Sequence, residues 1–128
     1  MLGVAQKVAT AEVVVVDDDL DMLESMRDLL TRRAVCVVAA SYDALLDLGE
    51  QALSCRAAIV DINLGPGRPS GIDVYRWLRE RNFRGRVAFL TGHAQHHPLV
   101  EEASRLHNVL IIEKPATAEA LLRFVEVA

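Results

Sequence analysis

Lysine is scarce in this 128-residue chain: Lys7 and Lys114 stand against twelve arginines. Cysteine is scarce too. Cys36 and Cys55 do not make a disulfide framework, and their apolar neighbours predict buried free thiols. No apolar run approaches the ~20 residues of a membrane span. The first residues, Met1 to Lys7, lack a basic region followed by an apolar stretch, so no signal peptide and no membrane insertion are expected. Positive charge is in deficit, with a formal net charge of −4. That balance argues against direct nucleic-acid binding and against anionic membranes. Several fingerprints are missing. There is no phosphate loop ending in Gly-Lys-Ser/Thr and no Gly-x-Ser-x-Gly elbow. Gly65, Gly67 and Gly71 do not have dinucleotide-binding spacing. Proline and glycine cluster only in the stretch from Gly65 to Gly71, so no linker or low-complexity segment divides the chain.

What is present is apolar and periodic. Apolar residues make up 52 % of the chain, which suits one cytoplasmic globular domain. Short β-branched runs occur at Val13–Val16, Val35–Ala39, Ala57–Val60, Val87–Leu90 and Val109–Ile112. They are continuously apolar, as expected of strands covered on both faces. Amphipathic stretches separate them. Leu23, Met26 and Leu30 mark a first helix behind Asp19 or Asp21. Leu45, Leu48 and Ala52 mark a second behind Ser41. Ile72, Tyr75 and Leu78 mark a third; Pro98, Val100, Ala103 and Leu106 a fourth; Leu121, Leu122 and Val125 a fifth behind Thr117. The result is (βα)5, an α/β fold with an open, doubly wound parallel sheet of five strands. Residues 1–11 read as a flexible leader and 12–128 as the domain.

In such a sheet all strands end on one edge, and ligands bind beyond it. Asp17, Asp18 and Asp19 follow the first strand, Asp61 the third, Thr91 the fourth, and Lys114 with Pro115 the fifth. Each is ordinary alone: an N-cap acid, a turn Asp, a turn hydroxyl, a loop lysine. Together they put carboxylates, a hydroxyl and an ammonium in one place. Clustered carboxylates resist ionising together. Hard oxygen ligands without Cys or His favour Mg²⁺. Such groups suit a phosphoryl group in transfer, and a carboxylate can itself be the nucleophile.

Val13 to Asp19 (VVVVDDD), Ala58 to Leu64 (AIVDINL), Phe89 to Gly92 (FLTG) and Glu113 to Pro115 (EKP) resemble, in that order and spacing, the receiver domain of two-component response regulators. The resemblance implies a flavodoxin-like sheet with strand order 2-1-3-4-5. It implies that Asp61 is the phosphoacceptor, served by a sensor histidine kinase or a histidine phosphotransfer protein. Mg²⁺ (or Mn²⁺) would be held by Asp17, Asp18, Asp61 and the backbone carbonyl of Asn63. Thr91 and Lys114 would bind the phosphoryl group, and the Lys114–Pro115 peptide would be a candidate cis bond. Asn63 and His93 would tune phosphoryl lifetime. The state of Asp61 would bias the face made by the fourth helix, fifth strand and fifth helix, a possible homodimer surface. No output domain is expected in this chain.

Two features depart from the receiver pattern. Ile111 stands where an aromatic residue usually reports phosphorylation by its rotamer. The loop from Asp61 to Gly71 is long, with Gly65 where proline often follows the hydrophobic residue. Both permit a pseudo-receiver that binds partners without phosphorylation, although Asp17, Asp18, Asp61, Thr91 and Lys114 are intact. The stretch Val13–Asp19 with Thr91 and Lys114 also resembles haloacid-dehalogenase-type phosphatases. That pattern needs a late acidic pair where only Glu119 and Glu126 follow, and it gives Asp61 no role. His93, His96 and His97 read as a solvated loop before Pro98.

Overall fold

The computed structural model describes residues 10–92 and 97–128. The predicted alternation of strand and helix is present. Strands β1 (Val13–Val16), β2 (Cys36–Ala39), β3 (Ala57–Asp61), β4 (Arg86–Thr91) and β5 (Val109–Glu113) pair in parallel in the order 2-1-3-4-5. Helices α1 (Leu20–Leu30) and α6 (Ala118–Val127) cover one face. Helices α2 (Tyr42–Leu48), α3 (Glu50–Leu53), α4 (Gly71–Glu80) and α5 (Pro98–Ser104) cover the other.

The period of two along each strand splits the core. Val13, Val15, Ile59, Ala88 and Leu90 pack against Leu23, Met26, Leu30, Leu121 and Phe124. Val14, Val16, Val60, Val87 and Phe89 pack against Leu45, Ile72, Leu78, Val100 and Ala103. The four valines of β1 are wholly enclosed. Each such side chain contributes about 1.5–3 kcal/mol of burial. The edge strands are less covered than their apolar sequences suggest. Cys36, Val37 and Val38 are half-buried, and Leu110 on β5 is 41 % exposed. Strand order explains this, because β2 and β5 have a neighbour on one side only.

The helix starts follow local chemistry. Asp19, not Asp21, caps α1, accepting from the amides of Asp21 and Met22. Ser41 and Thr117 cap α2 and α6. The second predicted helix differs from expectation, because it is broken into α2 and α3. Gly49, with φ +53° and ψ −121°, ends one and starts the next. An L side chain rarely adopts that backbone, whereas glycine does so readily. Helix α5 stops at Ser104, short of Leu106, and Asn108 with φ +59° turns the chain into β5. Cys36 and Cys55 are free, and burial pushes their thiols up to about 11 and about 12. Both are therefore poor nucleophiles. Ala11 and Glu12 belong to the folded body: Ala11 is buried, and Glu12 accepts from the Val35 amide. Of the rest of the predicted leader, Thr10 is exposed and residues 1–9 lie outside the described residues. Among the described residues no helix is long and apolar enough to cross a membrane.

Candidate functional site

Strand pairing sets the geometry of the carboxyl edge. Val16 pairs with Val60 across β1 and β3, so Asp17 and Asp61 follow side by side. Thr91 pairs with Glu113, and the Lys114 amide donates to the Thr91 carbonyl at 2.8 Å. That bond ties the ends of β4 and β5 together. The Lys114–Pro115 peptide is cis.

Asp17, Asp18 and Asp61 converge, each offering a carboxylate oxygen within 4.8 Å of the others. Asp17 and Asp61 are buried and Asp18 is exposed. The Lys114 ammonium donates to Asp61 Oδ2 at 3.1 Å and lies 3.7 Å from Asp17 Oδ2. Asp17 Oδ1 accepts from the Asp19 amide at 2.9 Å. Asp17 Oδ2 is buried and has no hydrogen bond. A buried acceptor left unsatisfied is costly. A divalent cation coordinated by that oxygen would relieve the cost, so the donor set fits a hard, oxygen-liganded ion.

Charge explains the ionisation of the group. Burial pushes the Asp17 carboxyl up to about 6, and the neighbouring Asp61 carboxylate adds to the rise. The Asp19 amide and Lys114 oppose it. For Lys114, burial would lower the pKa, but the bond to Asp61 and the charges of Asp61, Asp17 and Asp18 outweigh it and raise it. The ammonium therefore stays charged.

These groups surround an open cleft of about 350 Å³ lined by Asp18, Asp61, Asn63, Gly65, Pro66, Gly92 and Lys114. The Asn63 amide donates to Asp61 Oδ1 at 3.3 Å, and the Asn63 side chain accepts from the Gly65 amide at 3.0 Å. Thr91 is 2 % exposed at the end of β4. His93 and His96 lie outside the described residues. His97 caps α5, its Nδ1 accepting from the Leu99 amide at 3.2 Å. Ile111 is half-buried beside Phe89, its partner in the β4–β5 register.

Sequence reasoning missed Gly71. A Cβ there would stand 2.4 Å from the Asp61 carbonyl oxygen and 2.9 Å from Ile62 Cα. Only glycine lets α4 approach the end of β3 so closely. The Gly71 amide then donates to the Ile62 carbonyl at 2.7 Å, fixing the backbone beside Asp61. A signal was available: Ser70 and Asp73 form a capping box around Gly71. The long-range contacts of Tyr75 were also missed. Its hydroxyl donates to the His107 carbonyl at 2.9 Å, and its ring meets Phe89 with centroids 6.1 Å apart. Both partners lie far away in sequence, so no local pattern marks them.

A family model described as the response regulator receiver domain matches residues 13–126. The comparison with curated proteins gives no match. Among solved structures, the chain is similar to a response regulator receiver domain protein from Clostridium thermocellum, with a TM-score of 0.76 and 24 % identity over 91 % of this chain and 92 % of that one. It is similar to the receiver domain of NtrX from Brucella abortus, with a TM-score of 0.75 and 24 % identity over 91 % of this chain and 100 % of that one. A CheY-like receiver domain protein from Methanospirillum hungatei gives a TM-score of 0.76 and 21 % identity, covering 93 % of each chain.

Proposed function

This chain belongs to the response regulator receiver domain family, and from that premise we propose that it accepts a phosphoryl group on Asp61 and acts as a phosphorylation switch. The donor is a phosphohistidine of a sensor histidine kinase or a histidine phosphotransfer protein. One Asp61 carboxylate oxygen attacks phosphorus. The phosphorus–nitrogen bond breaks, and the imidazole leaves with the electron pair and takes up a proton. A small acyl phosphate serves the same step, with a carboxylate leaving.

The observation that carries this reading is the pairing of Lys114 with Asp61 at 3.1 Å beside two further carboxylates. The ammonium holds the nucleophile in place and stands ready for the phosphoryl oxygens. Asp17, Asp18, Asp61 and the Asn63 carbonyl would hold Mg²⁺ or Mn²⁺, whose charge, when bound, neutralises the transferring group. Thr91, at the buried end of β4, is the hydroxyl that turns toward the phosphorylated side chain. Asn63 and His93 flank the phosphoryl group and set its lifetime. The state of Asp61 is read on the face made by α5, β5 and α6, where exposed Leu110 lies and where a second copy could pair. The site of action is the cytoplasm.

The test is incubation with acetyl phosphate and Mg²⁺, followed by intact mass. Wild type is expected to gain one phosphoryl group, and neither D61N nor an EDTA-treated sample should gain any. No gain in wild type, or an equal gain in D61N, overturns the proposal.

A further inference from the structure

The long loop between β3 and α4 carries a cation with no role so far. Gly65, Pro66, Gly67 and Arg68 close a turn in which the Arg68 amide donates to the Gly65 carbonyl at 3.3 Å. Proline in second place and Gly67 with φ +69° in third suit a type II turn. Gly65 itself has φ +114°. Arg68 fills the space a Gly65 side chain would need: its Cδ lies 3.2 Å and its Nε 3.8 Å from that Cβ position. Asp18 Oδ2 lies 3.8 Å from the same point. The turn therefore folds the arginine stem back across Gly65 toward the rim of the acidic cleft. On its other side, Arg68 and Pro69 close against Ser41, Tyr42 and Asp43, leaving a cavity of only about 20 Å³. Arg68 is exposed, and among the described residues it makes no ion pair.

Charge balance gives this group a task. Three carboxylates in the cleft are neutralised by a divalent cation together with Lys114. The loaded cleft is then neutral overall, so it offers a dianionic donor no net attraction before Lys114 and the ion meet the phosphoryl oxygens. An arginine fork meets phosphoryl oxygens in bidentate fashion and stays charged at all working pH values. We propose that Arg68 is a donor-recognition residue, binding the phosphoryl oxygens of the anionic donor at the mouth of the cleft. This rests on Asp61 being the phosphoacceptor.

The test uses wild type, R68A and R68K with Mg²⁺ and a range of acetyl phosphate concentrations. R68A is expected to phosphorylate on the order of tenfold more slowly at low donor, as for loss of one charge-assisted bond. The limiting rate at high donor should change little. R68K should fall between. Mg²⁺ affinity, measured by calorimetry, should be equal or tighter in R68A, because a cation near the rim of the cleft has gone. An R68A protein as fast as wild type at low donor overturns the inference. So does slowing accompanied by weakened Mg²⁺ binding, which would mean the cleft itself had collapsed. If wild type gains no phosphoryl group at all, the phosphoacceptor reading has failed, and the two failures are thus distinct.

Discussion

The ammonium of Lys114 sits between two carboxylates of different strands, 3.1 Å from Asp61 Oδ2 and 3.7 Å from Asp17 Oδ2. It is the only lysine among the described residues. Its compact charge reaches both acids from a position 26 % exposed at the end of β5, where a planar guanidinium would present a wider group. Lys114→Ala removes the partner of Asp61 and, on the proposed function, the contact to the transferring phosphoryl group. Phosphorylation by acetyl phosphate should slow at least about tenfold, the scale of one charge-assisted hydrogen bond. Lys114→Arg should not restore it. The initial rate of mass gain checks both variants.

Asp17 makes the domain sensitive to pH when no divalent ion is bound. Its folded pKa is raised from 3.8 to about 6. For an acid with a raised pKa, the folded state holds the proton more tightly than the unfolded state. Stability therefore falls as pH rises from about 4 to about 6, and the whole cost persists above that window. Two units correspond to about 3 kcal/mol. Asp17→Asn keeps the acceptor for the Asp19 amide and removes the charge. In EDTA, urea unfolding should show the variant more stable than wild type by about 2–3 kcal/mol at pH 7.5, with little difference at pH 4. Added Mg²⁺ should stabilise wild type more than the variant.

Gly71→Ala tests how Asp61 is placed. The added methyl group meets the Asp61 carbonyl oxygen at 2.4 Å and Val60 Cγ1 at 3.0 Å, so β3 and α4 must separate. Overpacking of this kind costs about 1–3 kcal/mol. Chemical denaturation should show that loss, and the phosphorylation rate should fall with it because the Asp61 backbone moves.

Tyr75→Phe tests the tie between α4 and the turn after α5. The ring and its contact with Phe89 remain, while the bond to the His107 carbonyl is lost. Stability should fall by about 1 kcal/mol. Hydrogen exchange at the start of β5 should speed up, because the tether that holds the preceding turn is gone.

The carboxyl-edge constellation was legible because a parallel sheet brings all strand ends to one side. Asp17, Asp61, Thr91 and Lys114 each follow or finish an apolar run, so topology alone gathers them. The strand order came from family resemblance, and pairing reproduces it. Local signals also identified the caps Ser41 and Thr117. The break at Gly49 was not legible, because apolar spacing continues through it and only the backbone conformation reveals it. The close approach at Gly71 and the Tyr75–His107 bond depend on segments brought together by the fold. Gly71 reads as one more loop glycine until β3 is beside it.

Asp61 is the residue proposed to carry the phosphoryl group. The most direct measurement is peptide mass mapping of the Mg²⁺-loaded protein after acetyl phosphate treatment, with borohydride reduction to mark acyl phosphates. Reduction is expected at Asp61 alone, dependent on Mg²⁺. A mark on Asp17 or Asp18 with Asp61 unmodified would contradict it.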